Sequence, residues 1–366
     1  MKIAFITNIP SPYRVDFFNE LGKHCELTVF FEKKCSDERD KSWDKNNFQR
    51  FNGVFLKGVK SDVDKALSFE ICKYLKKHSF DHIVVSNAAT PTGIIAILYM
   101  KVMGIPYWIE GDGAFAKSGK GMKEALKRFL MKSARGCFST SAEHDNYYRT
   151  YGVHDEKIYR YPFTALFAKD IRQRSYDVTE KEAIRRELGI SESRYIVTVG
   201  QFIHRKGFDV LLKAATELPQ DVGIYIIGGT PTEEYILLKN EANLNNVHFI
   251  PFTDKENLKK WYGGAEIMVL PTREDIWGLV VNEAMAQGTP VVTTDRCIAG
   301  LELVKNRENG YIVPVGEVSP LSDKIKVILQ DSQLQQSMAN NCLKIIKEYT
   351  FESMVQRHMD VFNKFL

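Results

Sequence analysis

Short apolar runs alternate with longer amphipathic segments along residues 1–161 of this chain. The strand-like runs are residues 2–7, 27–31, 82–86, 107–109, 137–139 and 158–161. The segments with helical spacing of apolar positions are residues 13–21, 65–78, 92–103 and 120–133. Strands that alternate with helices are typical of a doubly wound α/β domain with a parallel sheet. The first half of the chain is therefore predicted to have a Rossmann-like fold.

The same alternation begins again at Tyr195. The predicted strands are residues 195–199, 223–227, 247–250, 267–270 and 290–293. The predicted helices are residues 208–217, 233–242, 255–262, 278–287 and 321–330. Residues 163–181 contain few aliphatic and many charged side chains, so they are predicted to connect two domains.

These patterns predict an N-terminal Rossmann-like domain at residues 1–170 and a second one at residues 171–350. A helix at residues 351–366 is expected to cross back to the first domain. Parallel sheets of this class bind ligands at the carboxyl ends of their strands. We therefore expect two facing domains with a cleft that these strand ends line.

Composition changes this picture only through the distribution of charge. Hydrophobic residues make up 44% and charged residues 26%, which excludes the disordered, collagen-like and coiled-coil classes. The net charge of +4 is small, but residues 1–180 hold 29 basic against 22 acidic side chains, and the remainder hold 21 against 24. An acidic partner is therefore expected to meet the first half.

The basic excess is concentrated in residues 117–135, where one acidic side chain, Glu124, is present. The seven basic residues are Lys117, Lys120, Lys123, Lys127, Arg128, Lys132 and Arg135. Apolar residues interleave with them at helical spacing, and such a helix suits an anionic membrane surface. The alternative is a surface helix whose apolar stripe packs on the sheet. Nucleic acid is not an expected partner, because no binding motif accompanies the charge.

Targeting, redox and metal signals are sparse. The six cysteines form no CxxC pair, which predicts reduced thiols in a cytoplasmic protein. The opening MKIAFITN predicts a strand rather than a secretory signal, and no apolar stretch reaches the ~20 residues of a membrane span. No metal site is expected, since four histidines lack ligand partners at motif spacing: His144, His154, His204 and His248. A peripheral position on the inner face of the plasma membrane is the expected location.

The most informative stretch is VLPTREDIWGLVVNEAMAQGTPVV at residues 269–292. A strand is followed by a polar loop and by a helix that begins near Gly278 and Leu279 and ends before Gly288. The start of a helix suits a phosphate, and a glycine there lets the anion approach closely. Glu283 lies among apolar neighbours, so its carboxylate requires hydrogen bonds, which ligand hydroxyls would supply.

This stretch resembles the signature of glycosyltransferase family 4, the retaining enzymes with the GT-B fold. That signature is an acid, seven residues, a glutamate and an Ala-Met-Ala-x-Gly-x-Pro-Val-Val run, and Asp275, Glu283 and AMAQGTPVV match it. The resemblance implies that Glu283 binds the ribose hydroxyls of a nucleotide-sugar and that the first acid contacts the donor sugar. Asp275 lies at the position of the first acid in this signature. Glu274, one position earlier, has the glutamate side chain that the family usually has there.

Three further segments extend the resemblance across residues 199–310. In VGQFIHRKGF, Lys206 matches the lysine that neutralises the donor diphosphate, Gln201 stands after Gly200 where the family usually has an arginine, and Arg205 is the nearest replacement. Preorganised cations of this kind stabilise a departing nucleoside diphosphate. Gly229 lies in the glycine turn near the nucleotide, and Phe252 in the segment that holds the base.

In the first domain, polar residues follow the predicted strands. The candidate acceptor-binding residues are Pro12, Tyr13, Arg14, Asn87 and Asp112. Asp112 lies near the place where many family members have a histidine. A plain strand–helix turn is the alternative for the loop that contains Tyr13 and Arg14.

The resemblance implies a metal-independent retaining glycosyltransferase that moves a hexosyl or N-acetylhexosaminyl group from a nucleotide-sugar, UDP-linked in preference to GDP-linked. Its acceptor is expected to be a glycan, lipid-linked because of the basic helix, in the synthesis of cell-surface polysaccharide. The candidate catalytic residues are Lys206, Arg205, Asp275, Glu283 and Asp112. The alternatives are a nucleotide-sugar epimerase of the same fold and a non-enzymatic membrane-surface adaptor.

Overall fold

The computed structural model describes residues 1–34, 47–77, 79–86, 88–116, 119 and 121–366. These residues form two compact units. The first comprises Met1–Ala165 together with Thr350–Leu366, and the second comprises Leu166–Tyr349. No helix among the described residues is both long and apolar enough to cross a membrane.

The first unit contains a seven-stranded sheet in the order β3-β2-β1-β6-β7-β8-β9 and a separate β4–β5 hairpin. Its strands are β1 (Lys2–Thr7), β2 (Glu26–Phe31), β3 (Asn52–Phe55), β4 (Val59–Asp62), β5 (Lys65–Leu67), β6 (His82–Ser86), β7 (Trp108–Glu110), β8 (Gly136–Ser139) and β9 (Ile158–Arg160). Its first five helices are α1 (Pro12–Leu21), α2 (Glu70–Lys77), α3 (Pro91–Val102), α4 (Met122–Lys132) and α5 (Ala142–Thr150). All neighbours in the large sheet pair in parallel.

The second unit has a six-stranded parallel sheet in the order β12-β11-β10-β13-β14-β15. Its helices are α6 (Val178–Glu187), α7 (Phe208–Ala215), α8 (Glu233–Glu241), α9 (Lys255–Gly264), α10 (Leu279–Ala286), α11 (Ile298–Leu303), α12 (Val318–Gln330) and α13 (Ser332–Ile346). Its strands are β10 (Arg194–Val199), β11 (Val222–Ile227), β12 (Val247–Ile250), β13 (Ile267–Leu270), β14 (Val291–Thr294) and β15 (Gly310–Val313).

The strand order locates the ligand-binding edge of each sheet. In both sheets the chain first adds strands on one side of its first strand and then reverses to the other side. The reversal lies between β1 and β6 in the first sheet and between β10 and β13 in the second. Ligands of doubly wound sheets bind outside the carboxyl ends of the strands at such a switch point.

The last helix, α14 (Phe351–Lys364), follows the second unit in the sequence but packs against α1 of the first unit. Thr350 caps it by accepting a hydrogen bond from the backbone N–H of Ser353. Its buried face includes His358 and Phe362, whose rings lie against Phe138 of β8.

The predicted doubly wound parallel sheets are confirmed, and most predicted strands and helices agree with the structure within a few residues. The helix predicted for residues 65–78 is wrong at its start. There, residues 65–67 form β5, because they pair with β4 and because Ala66 N–H donates a hydrogen bond to the buried carboxylate of Glu32. Tertiary pairing overrides local helical spacing at this position.

The sequence pattern also leaves several elements unpredicted, namely β3, β4, α5, α6, α11, α13 and β15. Helix α6 begins at Val178, inside the segment interpreted as a connection. A capping box between Asp177 and Glu180 explains this start. Three residues of the sequence predictions, Asn87, Lys117 and Lys120, lie outside the described residues.

Candidate functional site

Lys206 and Asp275 meet at the switch point of the second sheet. Lys206 follows β10 in a short 3-10 turn, and Asp275 follows β13 in a loop. Lys206 Nζ donates a hydrogen bond to Asp275 Oδ2 at 2.6 Å, and Arg205 Nη1 lies 3.3 Å from Asp275 Oδ1. Both cations therefore lie around one carboxylate at the edge where a ligand of this sheet is expected.

Backbone geometry fixes the turn that carries the two cations. Gly207 has a φ of 70°, and a Cβ at this position would lie 2.0 Å from the carbonyl oxygen of Pro271. The carbonyl oxygen of Arg205 accepts hydrogen bonds from Arg273 N–H at 2.8 Å and from Thr272 Oγ1 at 3.0 Å. The β10 turn and the β13 loop are therefore joined through their main chains.

The opposite side of the β13 loop is held by the segment after β14. Asp275 N–H donates to the carbonyl oxygen of Arg296 at 2.8 Å, and Ile298 N–H donates to that of Asp275 at 3.1 Å. Gly278, which precedes α10, has a φ of 103°, and a Cβ there would lie 2.9 Å from the sulfur of Cys297. The loop thus has main-chain partners on both sides, which preorganises Asp275 and the start of α10.

Glu283 lies in α10 and accepts a hydrogen bond from Tyr262 Oη at 3.1 Å. The surrounding protein desolvates the carboxyl and raises the pKa of Glu283 to about 7, although the hydrogen bond from Tyr262 and the charge of Lys255 act in the opposite direction. This carboxyl accordingly changes its charge near neutral pH. Nothing in the sequence pattern identified Tyr262, which lies on α9.

Glu274 and Asp275 have different partners although they are adjacent. Glu274 Oε2 is 3.6 Å from Arg296 Nη2, whereas Asp275 pairs with Arg205 and Lys206. The sequence left both acids open as contacts of a sugar. The structure brings Asp275, the acid in register, together with the two cations.

Two glycine turns lie beside Lys206. A Cβ on Gly200 would lie 3.3 Å from the side-chain carbons of Lys206, and a Cβ on Gly228 would lie 1.8 Å from the carbonyl oxygen of Gly200. Gly229, with a φ of 112°, has no protein atom within 4 Å of its Cβ position apart from those of its own backbone and its two chain neighbours. The turn after β11 therefore approaches the β10 turn closely at Gly228 and is open at Gly229.

The remaining candidates of the second unit are at strand ends or at the start of a helix. Gln201 is exposed after β10. Phe252 is 61% exposed two residues after β12, so its ring is not part of the core. Leu279 is the first residue of α10.

The first unit brings Tyr13, Arg14 and Asp112 together beside its own switch point. Tyr13 Oη donates a hydrogen bond to Asp112 Oδ2 at 2.7 Å, and Arg14 Nη2 forms an ion pair with Asp112 Oδ1. Arg14 Nη1 also donates to Glu110 Oε2 at 3.0 Å. Pro12 occupies the first turn of α1, where its fixed φ suits a helix start.

Burial and charge act against each other in this cluster. Burial disfavours the charge of Arg14, but Asp112 and Glu110 hold the pKa of its guanidinium well above the ordinary range. Burial likewise raises the pKa of the Tyr13 hydroxyl, and Asp112 adds to that rise. The hydroxyl of Tyr13 therefore remains protonated and acts as a donor toward Asp112.

Helix α4 buries one apolar pair and exposes another apolar stripe. Leu130 and Met131 are buried in the core of the first unit. Met122, Leu126 and Phe129, spaced as one helical stripe, are 91%, 37% and 53% exposed. The packing interpretation therefore applies to the face with Leu130 and Met131, and the membrane interpretation of the exposed face stays a prediction.

The neighbouring helix α3 extends this exposed stripe. Val102 is 85% exposed, and the Nζ of Lys101 lies 3.7 Å from the centre of the Phe129 ring. We call the exposed residues Val102, Met122, Leu126 and Phe129 the apolar ridge. Basic side chains on α4 accompany it: Lys123, Lys127, Arg128 and Lys132.

Comparison with known proteins gives matches to sugar-transferring enzymes. Residues 180–344 match the family model of glycosyl transferases group 1. A curated relative from Campylobacter jejuni is 23% identical over 81% of this chain and 80% of its own length. It is N,N'-diacetylbacillosaminyl-diphospho-undecaprenol alpha-1,3-N-acetylgalactosaminyltransferase. D-inositol 3-phosphate glycosyltransferase of Xylanimonas cellulosilytica is 26% identical over 61% of this chain and 55% of its own length.

The fold has counterparts among solved structures. The structure of HepE from Anabaena in complex with UDP matches this chain over 100% of both chains, with a TM-score of 0.80 and a sequence identity of 16%. The likeness to this and other solved glycosyltransferases confirms the predicted GT-B fold class.

Proposed function

We propose that this chain, whose residues 180–344 match the family model of glycosyl transferases group 1, is a retaining glycosyltransferase specific for nucleotide-sugars. UDP-linked sugars are its preferred donors, and the second unit binds them. The acceptor is a lipid-linked glycan, bound by the first unit. The observation that carries this proposal is the placement of Lys206 and Arg205 around Asp275 at the switch point of the second sheet.

In the proposed donor complex, Glu283 accepts hydrogen bonds from both ribose hydroxyls, and the open turn at Gly229 admits the nucleotide. The exposed ring of Phe252 lies beside the base. Lys206, Arg205 and the N-terminal N–H groups of α10 receive the diphosphate, since cations and helix starts both favour phosphate oxygens. Asp275 binds hydroxyls of the donor sugar.

The proposed reaction breaks the bond between the anomeric carbon and the diphosphate. Negative charge develops on the leaving diphosphate, and the preorganised cations stabilise it. The acceptor hydroxyl, bound by Asp112, attacks the anomeric carbon from the same face and passes its proton to the departing diphosphate. The new glycosidic bond therefore retains the anomeric configuration. Lys206 and Arg205 provide the positive charge at the diphosphate in this scheme, which is why we propose that transfer needs no divalent metal.

The acceptor proposal has two supports. The Campylobacter relative is named for a substrate built on diphospho-undecaprenol, a lipid carrier. The apolar ridge, with basic side chains beside it, is complementary to an anionic bilayer, into which apolar groups insert while cations meet lipid headgroups. We therefore propose a peripheral position on the cytoplasmic face of the plasma membrane.

Calorimetric titration with UDP and with GDP tests the donor half of the proposal. We expect UDP to bind more tightly than GDP. Lys206→Ala and Glu283→Ala are expected to weaken UDP binding without unfolding the second unit, as followed by circular dichroism. Unchanged UDP affinity in both variants would contradict the proposed site.

Transfer is then assayed with UDP-glucose, UDP-galactose and their N-acetylamino counterparts. The acceptor panel consists of undecaprenyl-diphosphate-linked monosaccharides and octyl glycosides of the same sugars. We expect transfer to a lipid-diphosphate acceptor, retained configuration by proton NMR, and no loss on addition of EDTA. Reactions without acceptor test the epimerase alternative, because an epimerase converts the nucleotide-sugar alone.

A further inference from the structure

Glu110 and His358 are two buried groups of the first unit to which the proposed reaction assigns no role. Each side chain is 0% exposed. Glu110 ends β7, whereas His358 lies on α14 at the other end of the chain. Burying charged groups is costly unless they are paired, so the partners of these two residues indicate what they do.

The contacts of His358 define where its protons are. Nδ1 lies 2.8 Å from the carbonyl oxygen of Met354, which only accepts, so Nδ1 carries a proton. Nε2 lies 3.3 Å from Glu110 Oε1, and among the described residues neither atom has a hydrogen-bond partner. Burial alone would raise the pKa of Glu110, but Arg14 and His358 lower it to about 2, so this oxygen also only accepts. A neutral ring would turn the lone pair of Nε2 toward this carboxylate oxygen, whereas a ring with protons on both nitrogens would attract it.

Four side chains form a row in which Glu110 lies between His358 and Arg14. His358 faces Glu110, Glu110 accepts a hydrogen bond from Arg14, and Arg14 forms an ion pair with Asp112. Ser86 adds a hydrogen bond of 2.8 Å to Glu110. Within the row, Asp112 alone reaches the surface, with 26% of its side chain exposed.

Arg14 divides its two Nη groups between the two carboxylates. Nη1 binds Glu110 and Nη2 binds Asp112. A charge on His358 would oppose that of Arg14 beside Glu110, so its loss would strengthen the net attraction of Glu110 for Arg14 Nη1. The ion pair between Arg14 Nη2 and Asp112 would then weaken, and Asp112 would no longer be fixed in its position beside Tyr13.

We propose that His358 carries protons on both ring nitrogens, and that Glu110 and His358 are positioning residues of the acceptor site, which act through Arg14 on Asp112. This inference rests on the proposed function, in which Asp112 binds the acceptor hydroxyl. Helix α14 thereby supports the site of the unit it packs in, although it follows the other unit in the sequence.

Steady-state kinetics of single and double variants test this positioning role. The acceptor is the member of the panel above that gives the fastest transfer. His358→Gln removes the positive charge but keeps one donor, and is expected to raise the acceptor KM by about tenfold. The donor KM and the affinity for UDP stay unchanged. The control is Phe362→Leu, which alters an equally buried ring on the same helix without touching the charges, and its acceptor KM is expected to equal that of the unsubstituted protein.

A double variant with Asp112→Asn distinguishes a positioning role of His358 from a general contribution to stability. Since His358 acts through Asp112, His358→Gln is expected to add no further loss in the Asp112→Asn background. An unchanged acceptor KM in His358→Gln, or losses that multiply in the double variant, would overturn the inference.

Nitrogen-15 NMR of the histidine rings gives a readout that needs no acceptor. We expect His358 to carry protons on both ring nitrogens near neutral pH and to become neutral in Glu110→Gln. A neutral His358 in the unsubstituted protein would overturn the inference and leave the proposed function intact. If the unsubstituted protein neither binds UDP nor transfers sugar, the proposed function fails, and the acceptor role of the row fails with it.

Discussion

Lys206 and Asp275 form an ion pair of 2.6 Å although 69 positions separate them in the sequence. Their side chains are 12% and 11% exposed, so solvent screens the pair less than it would screen a surface pair. The cation proposed to receive the donor diphosphate is therefore held by a carboxylate of the same site, and the two anions compete for it.

This competition predicts opposite effects of two substitutions on UDP binding. Asp275→Asn removes the competing charge and is expected to lower the Kd for UDP by about 3- to 10-fold, while sugar transfer is lost with the contact to the donor sugar. Lys206→Ala removes a charge-assisted hydrogen bond of about 1.5–3 kcal/mol and is expected to raise that Kd by about tenfold or more. Calorimetry measures both constants.

The adjacent acid provides the control for this comparison. Glu274 pairs with Arg296 rather than with Lys206, so Glu274→Gln is expected to leave the Kd for UDP unchanged. Weaker UDP binding in Asp275→Asn would contradict a competition between the carboxylate and the diphosphate.

The raised pKa of Glu283 predicts how UDP binding depends on pH. Its carboxyl titrates at about 7, and only the ionised form accepts hydrogen bonds from both ribose hydroxyls. Binding below that pKa must release a proton, so the affinity is expected to rise by up to about tenfold per pH unit and to level off above it. Titrations between about pH 6 and about pH 8.5 measure this slope.

Glu283→Gln is the control for the pH dependence. This amide keeps the size of the side chain but has no proton to release, so the part of the slope due to Glu283 disappears. The slope that remains reports the titration of the UDP phosphate. A slope equal to that of the unsubstituted protein would show that another group is responsible.

Alanine substitution at two glycines with positive φ distinguishes the cost of backbone strain from the loss of a ligand contact. Gly229 and Gly316 have φ values of 112° and 80°, and beyond their chain neighbours neither has a protein atom within 4 Å of its Cβ position. Substitution by alanine is expected to cost each about 1 kcal/mol of unfolding free energy, measured by urea denaturation. UDP affinity is expected to fall only in Gly229→Ala, and an equal loss in Gly316→Ala would contradict a nucleotide contact at Gly229.

The apolar ridge predicts membrane binding that depends on particular side chains. Val102→Ser and Phe129→Ser together are expected to reduce flotation with vesicles of phosphatidylglycerol and phosphatidylcholine by about tenfold or more, since burying one large apolar side chain contributes about 1.5–3 kcal/mol. Lys123→Glu and Arg128→Glu are expected to remove the preference for anionic over neutral vesicles.

A substitution in the other unit is the control for the ridge. Leu237 on α8 is 57% exposed, similar to Phe129, so Leu237→Ser removes a comparable apolar group away from the ridge. Its vesicle binding is expected to be unchanged. Equal losses in the ridge and control variants would point to general hydrophobic adsorption instead.

Local pattern predicted most strands of the two large sheets because a strand buried on both faces must be continuously apolar. Runs such as residues 3–6 and 267–270 meet that requirement and lie in strands of the structure. The β4–β5 hairpin does not meet it, because all four residues of β4 are exposed. Its pairing depends on contacts such as the one from Ala66 to Glu32, which local periodicity does not contain.

The sequence alone determined the fold class and the segments from which the site is built, since buried strands, helix starts and glycine turns each require particular residue types. Only the tertiary structure decided which side chains meet: Lys206 with Asp275, Tyr262 with Glu283, and His358 with Glu110. It also decided that Leu130 is buried while Phe129, its neighbour, is exposed. Spacing along a chain defines the face on which a residue lies, but the partner of that face depends on how distant segments pack.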